Sequence, residues 1–199
     1  MRFEAGYLFG MALQTIPEPR KVAREVLALD FPRPVLWQAF ALFAVLSTLL
    51  GVIATILFPP DPQFAGTLMA DPLRLGVVET SSLVMTVFLI YWMGHAFGGH
   101  GTFDQALLTV IWLQYVAFLM QLAVVVLALF SPAMALLFNY AAVAVSFWIL
   151  SHFIAEMHGF RSTGLVFAMI VVTIIGVAVV VGLMLAMIGV TAAPGAITG

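Results

Sequence analysis

The sequence predicts an all-α membrane protein: a bundle of five transmembrane helices preceded by a short amphipathic helix, N-terminus cytoplasmic and C-terminus external. Three observations lead there. The 199-residue chain is 64% hydrophobic and 8% charged, with a mean hydropathy of +1.17, whereas a soluble domain gives about a quarter of its residues to charge. Its apolar residues fall in runs of roughly 20, the length that crosses a hydrocarbon core about 30 Å thick. Each run is continuously apolar instead of alternating over about ten residues, which selects helices over barrel strands.

The N-terminal segment, residues 1–33, comes first. Glu4 stands beside Arg2 and the basic cluster follows the apolar stretch, the wrong order for a secretory signal peptide, so the segment is expected to remain in the mature protein. Within residues 19–29, Arg20, Lys21, Arg24 and Glu25 interleave with Val22, Val26, Leu27 and Leu29. This pattern predicts a short amphipathic helix lying on an anionic inner leaflet through Arg20, Lys21 and Arg24, or docking a cytosolic partner.

The transmembrane domain is expected over 34–199. Its first span, 35–58, stops at Pro59-Pro60-Asp61-Pro62, because proline lacks the amide donor and clashes with the preceding turn. The second, 73–93, opens on Asp71-Pro72, an N-cap acceptor with proline at the first helical position. A glycine-rich turn follows, and Thr102 with Gln105 forms a capping box that starts the third span, 103–130. No charge occurs between Ala106 and Ile154, too long for one crossing. Ser131-Pro132 is the available break, so a fourth span runs over 133–154. A polar loop with Glu156, His158 and Arg161 precedes the fifth, 165–190. Arg2, Arg20, Lys21, Arg24 and Arg33 precede the first span and Arg161 the fifth, so five crossings put them on one side, the cytoplasm by the positive-inside rule. Arg74 dissents, and is expected to snorkel or to pair with Asp71.

Polar groups inside apolar spans are costly and invite a partner or a function. Glu79 and Thr86, Gln114 and Gln121, and Asn139 and Ser146 are each seven residues apart, hence on one helical face. Counted from the outer helix ends, Glu79, Gln121 and Asn139 lie about 9, 13 and 10 Å deep. They are expected to meet at one level, with Thr86, Gln114 and Ser146 as a second layer, serving as interhelical hydrogen-bond glue or as a proton or substrate site. The four histidines sit at cytoplasmic helix ends. His95, His152 and Glu156 are the metal candidates, since imidazole and carboxylate both ligate first-row metals, although no tight metal motif is present and helix-end caps are the plainer reading. Ser47, Gly51 and Thr55, and Ala178, Gly182 and Ala186, repeat every four residues and would allow close helix approach, within one bundle or across a homo-oligomer.

Residues 17–37 (PEPRKVAREVLALDFPRPVLW), the Gly98-Gly99-His100-Gly101-Thr102-Phe103 turn with Gln105 behind it, and His158-Gly159-Phe160 together resemble the bacterial branch of the Yip family, five-span membrane proteins named for interaction with Ypt/Rab GTPases. The resemblance implies a five-span bundle with a cytoplasmic N-terminus and a non-catalytic role in organising membrane or binding partners. It supplies no catalytic residue. The long polar N-terminal region of the eukaryotic relatives is not expected in this chain, whose first apolar residues come within ten positions of Met1.

Cysteine is absent, which excludes thiolate chemistry. The net charge of −2 points to no nucleic-acid partner. The expected partners are the lipid bilayer and a membrane or cytosolic protein, in a bacterial cytoplasmic membrane, with no cofactor. The competing function is a small proton-coupled transporter or channel using Glu79; an intramembrane metalloenzyme ranks last.

Overall fold

The computed structural model describes residues 4–59 and 71–187. Among these the chain is all helical: α1 (Ala5–Gln14), α2 (Pro19–Leu27), α3 (Arg33–Leu57), α4 (Pro72–Ala96), α5 (Phe103–Phe130), α6 (Pro132–His158) and α7 (Thr163–Met187). The last five are long and apolar enough to cross a membrane. The expected turn 59–62 and residues 188–190 of the fifth span fall largely outside the described residues. α6 runs four residues beyond the expected 154, because Glu156 and His158 find partners at the helix end and need not leave it.

Local chemistry sets the helix starts. The Asp71 carboxylate accepts from the amides of Leu73 and Arg74 at 3.0 and 3.2 Å and pairs with the Arg74 guanidinium at 2.9 Å. Thr102 Oγ1 accepts from the Gln105 amide at 3.2 Å while Gln105 Oε1 accepts from that of Thr102 at 2.9 Å, a complete capping box. Ser131 ends α5 and caps α6. α6 finishes on Gly159 in the left-handed region (φ 73°), from which Phe160 N–H reaches back to the Ala155 carbonyl at 2.8 Å.

α5 is the central helix, packed against α2, α3, α4 and α6. Burial is densest at the end where α3 and α5 begin and α4 and α6 finish: Leu107, Val110, Ile149 and Phe153 are essentially fully buried there. Arg33–Asp104 and Arg24–Glu156 ion pairs mark it as the charged end. α7 is peripheral, and Val166 alone among its described side chains is buried.

Two helices depart from expectation. α1 was not foreseen: ten residues are too few to span, and Gly6 and Gly10 weaken helix propensity, so tertiary contacts through buried Met11, Ala12 and Thr15 hold it. α2 forms where expected, but its apolar face meets protein. Val22, Ala23 and Val26 have no exposed surface and pack on α5 and α6.

The small-residue stripes also shift. A Cβ built on Gly51 or Gly182 meets nothing within 4 Å, and Ala178 and Ala186 are exposed, so of the two stripes Ser47 makes the contact with another helix, to Gln114 of α5, and the glycines mark no close approach among the described residues. The close approach of α3 and α4 occurs one residue over, where Gly76 lies against Thr48 with no room for a side chain. Thr55 bonds back to the Val52 carbonyl of its own helix.

Candidate functional site at the charged end

His158 closes α6 and is 2% exposed. The Gly101 N–H donates to its Nδ1 at 3.1 Å, which makes that nitrogen the acceptor, so the proton sits on Nε2 and is donated to the Ile90 carbonyl at 3.1 Å. Three glycines make room for the ring. A Cβ on Gly94 would overlap the imidazole, one on Gly99 would lie 2.5 Å from His158 Cβ, and one on Gly101 2.8 Å from Met157 Cγ. Gly98, at φ 82°, turns the chain back toward α5 as only glycine does without strain. Phe160 stacks on the ring at 5.6 Å and His95 meets it edge-on at 5.8 Å. Two separate stretches singled out in the sequence, the glycine turn and His158-Gly159-Phe160, thus form one cradle.

α2 lies beside this cradle. Arg20 Nη2 donates to the Phe160 and Arg161 carbonyls at 3.3 and 3.1 Å, just past the end of α6, where a cation also meets the negative end of the helix dipole. Arg24 pairs with Glu156 at 3.6 Å and Lys21 with Glu18 at 3.1 Å. The Gln14 amide, with Lys21, holds the Glu18 carboxyl below its usual range. On the other side of α5, Arg33 Nε donates to Asp104 at 2.6 Å, its guanidinium 5.8 Å from the Phe103 ring. Upstream, Trp112 Nε1 donates to Thr15 Oγ1 at 3.1 Å and Trp148 Nε1 to the Ile16 carbonyl at 3.3 Å. The three basic residues expected at a membrane surface are therefore ion-paired or hydrogen-bonded within the chain, with Lys21 and Arg24 still more than half exposed.

The metal candidates do not converge. His95 Nδ1 bonds the Tyr91 carbonyl and His152 Nδ1 the Trp148 carbonyl, each at 2.8 Å and each in its own helix, while Glu156 is held by Arg24. Among the described residues no three His, Cys, Asp or Glu side chains group as metal ligands.

Further along the spans, buried Gln114 Nε2 donates to Glu79 Oε1 at 2.9 Å and to Ser47 Oγ at 3.4 Å, tying α5 to α4 and α3, although Glu79 itself stands at an exposed position of α4 and not in the bundle interior. Glu79 thus meets Gln114, expected in the other layer, and not Gln121 or Asn139. Both of those amides are exposed. Thr86 and Ser146 bond carbonyls of their own helices. The reason is register. Phe103, the first residue of α5, packs on Phe88 and Tyr91 at 5.3 and 5.9 Å, so α4 overshoots the start of α5 by more than a turn. Eleven residues along α5 then bring Gln114 level with Glu79, and Gln121 falls near the very start of α4. Depth counted from helix ends assumes flush ends.

A family model described as the Yip1 domain matches residues 13–192. The chain belongs to the Yip1-domain family. No curated protein and no solved structure matches it. The Yip1-domain match begins near the end of α1 and covers α2, the glycine turn and His158, so the whole cradle and the helix docked beside it lie within the family's domain.

Proposed function

We propose that this multi-pass membrane protein of the Yip1-domain family acts without catalysis, organising membrane or partner proteins through its N-terminal segment. The observation that carries the reading is the posture of α2. Its apolar face is fully buried on α5 and α6, while Lys21 and Arg24 stay exposed beside their partners Glu18 and Glu156, so the bundle presents a fixed charged ridge. The distribution of basic residues supports a charged end facing the cytoplasm, of a bacterial inner membrane on this reading; a reporter fused ahead of Met1 should read cytoplasmic. Lys21→Gln combined with Arg24→Gln tests the ridge: the Lys21–Glu18 pair is exposed and adds little to stability, and a neutral amide at 24 can still donate to Glu156 without setting a like charge against it. The double variant should keep its thermal stability and lose the proteins that crosslink to the wild type in native membranes. An unchanged crosslinking pattern would rule the ridge out as the binding surface.

The hydrogen bond between Gln114 and Glu79 favours one second reading, a proton-coupled carrier. A carboxylate inside a span is costly unless partnered and is a common element of proton relays. Reconstituted Glu79→Gln would then keep its fold and lose pH-dependent flux, whereas in a purely structural role there is no such flux to lose.

A further inference from the structure

The geometry points to α1 as a helix embedded in the acyl region of the leaflet at the charged end, its outer face covered by lipid chains. From Ala5 to Pro17 the chain carries no charge. Met11, Ala12 and Thr15 face the bundle and are buried, while Tyr7, Phe9, Leu13 and Ile16 point away from it, Leu13 56% and Phe9 49% exposed. That exposed face is apolar and sits directly on a membrane-spanning domain.

Its depth can be read from its C-terminal end. Thr15 bonds Trp112, eight residues along α5 from Asp104, and Ile16 bonds Trp148, eight residues before Glu156 on α6. At 1.5 Å per residue both tryptophans lie about 12 Å inward of the ion-paired Asp104 and Glu156. The headgroup layer is about 5–7 Å thick on each side, so Thr15 and Ile16 are roughly 5–7 Å inside the hydrocarbon. At the other end, Leu8 lines a cavity that runs from Leu29 and Phe31, just ahead of α3, to Phe43 of α3 and Tyr115 of α5, so it lies beside the first three turns of those helices. α1 therefore stays beside the first turns of α3 and α5, within the leaflet at the charged end. Embedding of about 5–10 Å is what interfacial helices adopt, and nothing charged on α1 opposes it. Glu18, Lys21 and Arg24 follow at once, where the chain climbs back to the ion-paired layer. α1 thereby widens the protein in one leaflet only.

Because the chain has no cysteine, single cysteines report on this without background. Phe9→Cys, Leu13→Cys and, should either fail to fold, Tyr7→Cys are placed in the full chain in lipid vesicles, with Lys21→Cys as the water-exposed control and Val45→Cys, 64% exposed in mid-α3, as the lipid-facing one. A water-soluble maleimide added to both faces should label Lys21→Cys and lose reaction with the α1 and α3 positions. A bimane placed at the same α1 positions should be quenched by lipids brominated on their acyl chains. Labelling of Phe9→Cys and Leu13→Cys as fast as Lys21→Cys would put α1 in water and overturn the inference. Protection without quenching would overturn it equally, since the face would then be covered by protein.

Discussion

Replacing Gly94 by alanine sets a methyl group where the His158 ring now sits. Overpacking of this kind costs about 1–3 kcal/mol, and the ring cannot swing aside without giving up its bonds to Gly101 and Ile90. Alanine is otherwise the better helix former by about 1 kcal/mol. Gly94→Ala should therefore destabilise the wild type but be neutral or stabilising in a His158→Ala background, a reversal that a double-mutant cycle of thermal unfolding in detergent reads directly. Equal effects in both backgrounds would mean that the two residues do not touch. His158 was visible in the sequence as one of four histidines at helix ends and as part of the His158-Gly159-Phe160 stretch, with nothing local to say that it is the buried one. Its distinguishing signal was the run of glycines more than 50 residues upstream, which leaves a hollow that some side chain must fill, but which side chain fills it depends on how the helices dock. Glu79 was legible as a costly group requiring a partner; its partner Gln114 was not, because a contact distance depends on register and not on sequence spacing.

The helix boundaries set by capping chemistry, at Asp71, Thr102 and Ser131, were readable because a cap is a local arrangement of a few residues. α2 was readable as an amphipathic helix for the same reason, yet periodicity cannot say whether an apolar face meets lipid or protein. The structure places Val22, Ala23 and Val26 against α5 and α6, which makes a specific expectation. Val26→Asp buries an unpaired carboxylate at a cost of about 3 kcal/mol, enough to release α2, and trypsin should then cut rapidly at Arg20, Lys21 and Arg24 while α3 to α7 remain intact. Persistent resistance to trypsin would mean that α2 is held by something other than this apolar contact. α1 escaped sequence reading because no local signal favours it; its helix is imposed by the two tryptophans and the packing of Met11 and Ala12.

At the scale of the molecule, the five spans were legible because bilayer thickness dictates their length and the charge gaps dictate their number. The unequal overlap of those spans was not, since it arises from the path of residues 97–102 folding back around His158. The outcome is a bundle whose tightest packing, ion pairs between helices and N-terminal helices are gathered at one end, with α5 and α6 as the frame on which α2 sits. That docking holds the N-terminal segment to the bundle. The most direct measurement is crosslinking in native membranes of a chain carrying Arg24→Cys and Glu156→Cys, with Arg33→Cys and Asp104→Cys as the reference pair within the bundle. A short bismaleimide should join both pairs with similar yield, and α2 with α6 should appear as one tryptic product until the linker is cleaved. Crosslinking of the reference pair alone would mean that the N-terminal segment lies off the bundle, which would contradict the account.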